Sequence, residues 1–439
     1  MDLRKLSILV FALVFSFGML FAQDHGQEHN GESTHEELDS HGAQAGHDSD
    51  LGHSYCGGHE EDGEYNPVKT VMEHIADANE FHVWKGVHIP LPIFLYAPGH
   101  GWTTGLSSMF EHGHTAVDGY VLNHGRVNRV ADPAFPEGEV HIDGILHRVE
   151  TIVKEDKEEE KDVYYVCYQQ ELYKLDKPST VDGGFLGGGI TSFYDFSITK
   201  NVFSMILASL LLIFLFMAVA RGYKRNEGKA PSGVQSFMEI FFVFIRDEVT
   251  KPMIGEKHYE RFQPFIMTLF FFIMFINLMG LVPFFPGGAN ITGNLAVTFT
   301  LAIFTFIVTN LNGKKDYWEH IFWMPGIPAW VKIILTPVEI LSLFIKPFSL
   351  MIRLFANISA GHIIILSLIG LVFLFGNNGQ SVGGAAGGAI VGGLFTAFMN
   401  LIELLVALLQ AFIFAILSAS YIGAAVEEHD HHDAHEGAH

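Results

Sequence analysis

Ionisable residues stand inside long apolar runs of this sequence. Glu339, Lys346, Arg353 and His362 lie in a stretch from about Val331 to Phe375, and Glu403 lies in a second from about Ala389 to Val426. A charged side chain at the centre of a bilayer costs about 2.5–3.5 kcal/mol on insertion scales. A helix that only anchors gains nothing from carrying one, so chemistry is to be sought at these positions. On a helix Glu339, Lys346 and Arg353 recur every seven residues, nearly two turns, and share a face. Ser349 and Asn357 flank Arg353 one turn away on either side and extend the polar stripe. His362 is nine residues beyond Arg353 and looks in the opposite direction. On the second stretch Glu403 and Gln410 share a face, with Tyr421 eleven residues further on.

Each residue type limits what it can do. A glutamate on one helix and a histidine on its neighbour can neutralise each other and exchange protons as their environments are tuned. The Arg353 guanidinium stays protonated and cannot relay protons. It can hold a carboxylate ionised, with an attraction of about 4 kcal/mol at about 4 Å and an effective dielectric near 20. No carboxylate sits one turn away on its own helix, so its partner is either Glu403 or an acid on another protein. Glu339 and Lys346 lie nearer the start of the stretch and read first as a pair, or as side chains snorkelling to the surface, and only second as transport residues. On this chemistry three classes stay open: a subunit of a proton-driven machine, a secondary transporter or stand-alone channel, and a membrane anchor for the preceding hydrophilic region. Secondary transporters favour internal repeats, and no convincing repeat relates the two halves here.

The elements that must position these residues follow from hydropathy and charge. Residues 24–198 carry 32 Asp and Glu against 10 Lys and Arg, whereas the rest of the chain carries 16 of each. An acidic hydrophilic region is thus joined to an apolar, balanced one, and the acidic exterior argues against nucleic-acid binding. Residues 1–22 read as a signal peptide, with Arg4 and Lys5 before an apolar run and Ala22 before the cut. Residues 23–68 read as a disordered acidic segment containing His25, His29, His35, His41, His47, His53 and His59. These histidines match no closed metal site and remain weak candidates for loose Zn or Cu binding. Residues 69–198 read as a small exported, mainly β region, with strands within His82–Tyr96 and Val163–Leu175 and the charge run Lys154–Lys161 as a solvated loop or helix. Cys56 and Cys167 are compatible with a disulfide or with two free thiols.

The membrane part spans 199–429, with a His-rich cytoplasmic tail at 430–439. Val202 to Ala220 makes one steep N-terminal helix, and Arg221, Lys224, Arg225 and Lys229 place its end in the cytoplasm. Val234 to Thr250 suits a surface amphipathic helix. Phe262 to Phe285 and Ile291 to Leu311 form a transmembrane hairpin. The two long stretches, roughly 65 and 57 Å as continuous helices, exceed a hydrocarbon core of about 30 Å. They must therefore tilt strongly or break, with Pro337, Pro347, Gly361 and Gly370 as break points and Gly376–Gly388 as the connecting loop. The fold class expected is an all-α polytopic membrane protein.

The run Lys346 to His362, KPFSLMIRLFANISAGH, resembles the signature of the F-type ATP synthase subunit a. Leu408 to Phe414 (LLQAFIF) with Tyr421, and Asn277 to Pro283 (NLMGLVP), are similar to its other helices. The resemblance covers roughly 199–429 and implies a membrane stator subunit of the Fo sector in the cell inner membrane. Such a subunit forms two half-channels that carry protons to and from a ring of c subunits and is held by the b subunits of the peripheral stalk. It implies no cofactor and no enzyme activity in this chain alone, in line with the absence of a Walker A run. By position, Arg353 falls on the arginine facing the c-ring, Asn357, Gln410 and Tyr421 on polar positions lining the path, and His362 and Glu403 on a coupled pair in the outer half-channel. Some members carry that acid and histidine exchanged. Gly280 falls where some members carry an acid. The resemblance says nothing of residues 23–198.

Overall fold

The computed structural model describes residues 76–84, 87–130, 132–154, 157–176, 193–282, 285, 287–324, 326–376 and 381–427. The signal peptide, the histidine-rich segment, Cys56 and the C-terminal tail expected from the sequence lie outside them. The chain divides into two compact units, one containing Ala76–Thr199 and the other Lys200–His439.

The first unit is built of β-strands: β1 (Glu80–Trp84), β2 (Val87–Pro90), β3 (Pro92–Ala97), β4 (Gly101–Leu106), β5 (Thr115–Val117), β6 (Tyr120–Asn123), β7 (Arg126–Arg129), β8 (Glu139–His141), β9 (Gly144–Lys154), β10 (Lys157–Tyr168), β11 (Glu171–Lys174) and β12 (Tyr194–Asp195). They form four small antiparallel sheets in the orders β1-β2, β12-β3-β4, β7-β6-β5-β8 and β11-β10-β9. Alternation along β3 buries Ile93, Leu95 and Ala97 against Phe110, Leu122 and Phe193, as a half-buried strand requires. A second cluster joins Val121, Phe135, Ile142, Val166 and Tyr173. The charge run Lys154–Lys161, expected as a loop or helix, instead forms the facing ends of β9 and β10, with Glu158 opposite Val153, Glu159 opposite Ile152 and Lys161 opposite Glu150. The antiparallel backbone ladder overrides the helix preference of Glu and Lys, because strand formation depends on tertiary context. Cys167 is disulfide-bonded and not a free thiol.

The second unit is helical: α1 (Lys200–Arg225), α2 (Val234–Phe244), α3 (Lys251–Ile254), α4 (Tyr259–Gly280), α5 (Leu295–Leu311), α6 (Lys315–Trp323), α7 (Ala329–Phe375) and α8 (Val382–Val426). Four of these helices are long and apolar enough to cross a membrane, or five spans result if the bent pair α5 and α6 counts as one. A mostly helical polytopic membrane protein is therefore the architecture. The segment read as one amphipathic helix over Val234–Thr250 is α-helical only to Phe244 and continues as a π-turn over Ile245–Thr250. There the Thr250 hydroxyl lies 3.1 Å from the carbonyls of both Ile245 and Arg246.

The two long stretches do not break. α7 runs for 47 residues through Pro337 and Pro347, and α8 for 45. A proline removes one intrahelical hydrogen bond and leaves the rest of the ladder in place, so the helix continues past it. The connecting loop is also shorter than expected, because α8 begins at Val382 and its glycines are helical. A Cβ at Gly388 would meet the Leu371 carbonyl at 2.9 Å and one at Gly392 the Leu368 carbonyl at 2.8 Å. These glycines, one turn apart, let the two backbones approach, the role of small residues at membrane helix interfaces.

Candidate functional site

α4, α7 and α8 bring the chemically active side chains together. His362 on α7 approaches Glu403 on α8 with Nδ1 to Oε1 at 2.8 Å. The Glu403 side chain is 2% exposed and that of His362 15%. Glycine at 361 makes the approach possible, since a Cβ there would lie 2.8 Å from Glu403 Oε1. On the other side of the imidazole, a Cβ at Gly280 of α4 would stand 3.7 Å from His362 Nε2. A longer side chain at 280 would therefore face the same histidine. The buried carboxylate has His362 as its partner, and no other cation lies within 4.0 Å of it among the described residues.

One turn beyond Glu403 the polar line continues. Asn277 of α4 donates to the Ala407 carbonyl at 3.4 Å and accepts from the Thr292 hydroxyl at 2.7 Å. Asn277 is 2% and Thr292 1% exposed. Neither was singled out from the sequence as a site residue. The signal was an amide inside the apolar run of α4, but its partners are 15 and 130 residues away. Gln410 on α8 is buried on the face of Glu403, two turns on.

Arg353 lies at a different place. It is half-buried on α7, and among the described residues no carboxylate comes within 4.0 Å of it. The alternative of a fixed Arg353–Glu403 salt bridge is not realised, because Glu403 is engaged by His362. Both helices of the hairpin carry exposed apolar side chains, with Phe348 58%, Ile352 41%, Leu405 65% and Leu409 46% exposed. Asn357 is exposed and Ser349 half-buried, and neither side chain makes a hydrogen bond among the described residues. The expected stripe is thus present as a face, without internal partners.

Tyr421 on α8 lies within electrostatic reach of Arg353. Its ring also faces Lys346, whose Nζ stands 5.8 Å from the ring centroid. These two residues line a cavity with Thr305, Thr309, Asn310 and Tyr317. Lys346 therefore faces α8 and does not pair with Glu339, which forms no ion pair among the described residues. The ionisable and polar residues of α7 and α8 thus fall in three places: a buried acid–imidazole pair, a guanidinium with no carboxylate of the described residues against it, and a small cavity at Lys346 and Tyr421 that Phe306, Leu343 and Pro347 also line.

Residues 202–423 match the family described as ATP synthase A chain, and residues 70–148 match a domain of unknown function. Among curated proteins, the ATP synthase subunit a of Chloroherpeton thalassium is 44% identical over 250 residues, which is 56% of this chain and 71% of that protein. The ATP synthase subunit a of Chlorobium phaeobacteroides is 43% identical over 272 residues, 61% of this chain and 73% of that protein. That of Myxococcus xanthus is 40% identical over 262 residues, 58% of this chain and 82% of that protein. The match falls on the helical unit, and the chain belongs to the ATP synthase A chain family.

Proposed function

We propose that this chain is the membrane stator subunit of an F-type ATP synthase and carries protons to and from a rotating ring of c subunits. The observation that supports the reading most directly is the guanidinium of Arg353, half-buried on α7 with no carboxylate of the described residues within 4.0 Å of it. A permanent cation in such surroundings is stabilised by a mobile acid arriving from outside the chain. A c-subunit carboxylate passing Arg353 supplies the charge. Arg353 holds it ionised with about 4 kcal/mol at contact distance and blocks a proton from passing straight through.

In this mechanism protons enter from the side of Glu403 and His362. The buried pair exchanges a proton between carboxylate and imidazole and passes it to the c-subunit carboxylate, which becomes neutral and can turn into lipid. Gln410, Asn277 and Thr292 continue that path. After a rotation the next carboxylate meets the second half-channel, for which the cavity at Lys346 and Tyr421 is our candidate, and releases its proton before reaching Arg353. Asn357 and Ser349 stand at the ring-facing flank, and Glu339 near its cytoplasmic start. Nucleotide chemistry belongs to other subunits, and the b subunits hold this chain against rotation.

The same reading puts residues 23–198 outside the cell inner membrane after removal of 1–22, and the C-terminus in the cytoplasm. α2 lies on the cytoplasmic surface, and α7 and α8 tilt strongly. At 47 and 45 residues these helices are about 70 Å long, more than twice the thickness of a hydrocarbon core. The test is ATP-driven proton pumping by the complex reconstituted with Arg353→Ala. Pumping is expected to be lost, and a rate near that of the unaltered complex would refute the assignment.

A further inference from the structure

The β unit holds a cluster that the proton path does not use. Glu80 on β1 and His88 on β2 are diagonal neighbours, since the antiparallel register sets Glu80 opposite Pro90 and His82 opposite His88. His112 comes from the helical segment Ser107–Gly113. There Glu111 (φ 44°, ψ 47°) and His112 (φ 58°, ψ 29°) are both left-handed, a conformation uncommon for a residue bearing a side chain. This turn brings the His112 ring to 4.1 Å from that of His88, centroid to centroid. The Thr115 hydroxyl braces it by donating to Glu111 Oε2 at 2.9 Å. Both imidazoles then converge on one carboxylate, His88 Nδ1 at 3.2 Å from Oε1 and His112 Nδ1 at 3.3 Å from Oε2 of Glu80.

We propose that Glu80, His88 and His112 form a binding site for a divalent first-row cation, with Zn²⁺ as the ion the donor set fits. Two imidazoles and a carboxylate are a zinc-type ligand set. The donor atoms all lie within 4.8 Å of one another. Ligands at about 2.0–2.1 Å around a tetrahedral ion are separated by roughly 3.4 Å. The two histidine–glutamate separations are near that edge, each to a different oxygen of Glu80, so a modest turn of the carboxylate presents one oxygen to the ion. The Glu80 and His88 side chains are 13% and 18% exposed, whereas that of His112 is 52% exposed. The fourth position therefore opens to water on the His112 side, and the bound ion exchanges with solvent.

The test uses the full chain purified in detergent, with the seven N-terminal tail histidines and the five at 429, 431, 432, 435 and 439 replaced by asparagine to lower the background. Co²⁺ serves as the spectroscopic probe and Zn²⁺ as its competitor. The parent is expected to bind one Co²⁺ with ligand-field absorption of a four- or five-coordinate ion, displaced by Zn²⁺. His112→Gln, an exposed change, and Glu80→Gln are each expected to weaken binding at least about 10-fold while leaving far-UV circular dichroism unchanged. A parent that binds no such ion overturns the proposal. So do two variants that are folded and bind as the parent does.

Discussion

Gly361 faces Glu403 across the hairpin without room for a side chain, and Gly361→Ala tests that approach directly. The added methyl carbon would lie 2.8 Å from Glu403 Oε1, 3.0 Å from Cδ and 3.2 Å from Cγ. Ordinary contact needs roughly 3.5 Å, so the carboxyl group must retreat by about 0.7 Å. If the retreat is away from α7, the His362–Glu403 separation grows from 2.8 Å to roughly 3.5 Å. For an ionised pair at an effective dielectric near 20, the attraction falls from about 6 to about 5 kcal/mol. A loss of ~1 kcal/mol corresponds to about a fivefold slower step if the pair limits proton delivery. The assay is the initial rate of ATP-driven acidification in proteoliposomes holding the assembled complex. Glu403→Asp alone also slows pumping, because the shorter side chain falls short of His362. In the Gly361→Ala background its extra cost should shrink, since the shorter side chain leaves room for the methyl group, and a double-mutant cycle reads that coupling. Pumping by Gly361→Ala at the unaltered rate, or strictly additive effects of the two changes, refutes the reasoning.

Three further outcomes are expected. The exchange His362→Glu with Glu403→His keeps one acid and one imidazole at the site, so pumping should partly return relative to either single change, and no recovery argues against a paired site. Asn277→Leu leaves the Thr292 hydroxyl, 1% exposed, without its acceptor. This should cost about 1–3 kcal/mol, read as a lower thermal midpoint of the purified complex, and Thr292→Val in the same background should recover most of it. In the β unit, burial holds the Asp195 carboxyl above the ordinary carboxylate range, against the Ser197 hydrogen bonds that pull it down. The folded unit therefore binds this proton more tightly than the unfolded chain does. Its contribution is full below the unfolded value of about 3.9 and is lost as pH rises through the higher folded value. Asp195→Asn should remove that loss, seen as slower amide exchange, corrected for intrinsic rate, at Phe196 and Ile198, whose amides pair with Phe94 and Pro92. Exchange no slower than in the parent on the alkaline side of that transition counts against it.

The one-dimensional pattern determined a good deal about this protein. Apolar runs interrupted by single charges set the position of α7 to within two residues and the end of α8, but missed the first two turns of α8, because hydropathy over a turn or two is local information. The seven-residue spacing put Arg353 on a face with Glu339 and Lys346, the four-residue steps added Ser349 and Asn357, and the nine-residue step turned His362 away, since all follow from helical pitch alone. The same pattern could not say that α7 continues through Pro337 and Pro347, because a proline both kinks and interrupts helices and its spacing alone does not say which. Nor could it distinguish the glycines of α8 from a loop, as their role is to admit the carbonyls of Leu368 and Leu371 across the hairpin. The charge run Lys154–Lys161 carried a helix-like composition, and only its partner strand made it β. Which acid meets Arg353, which histidine meets Glu403, and whether Glu80 gathers two imidazoles are questions about faces that become neighbours after folding. Residue spacing fixes the direction of a side chain relative to its own helix or strand. Only the packing of one element against another fixes what stands in front of it.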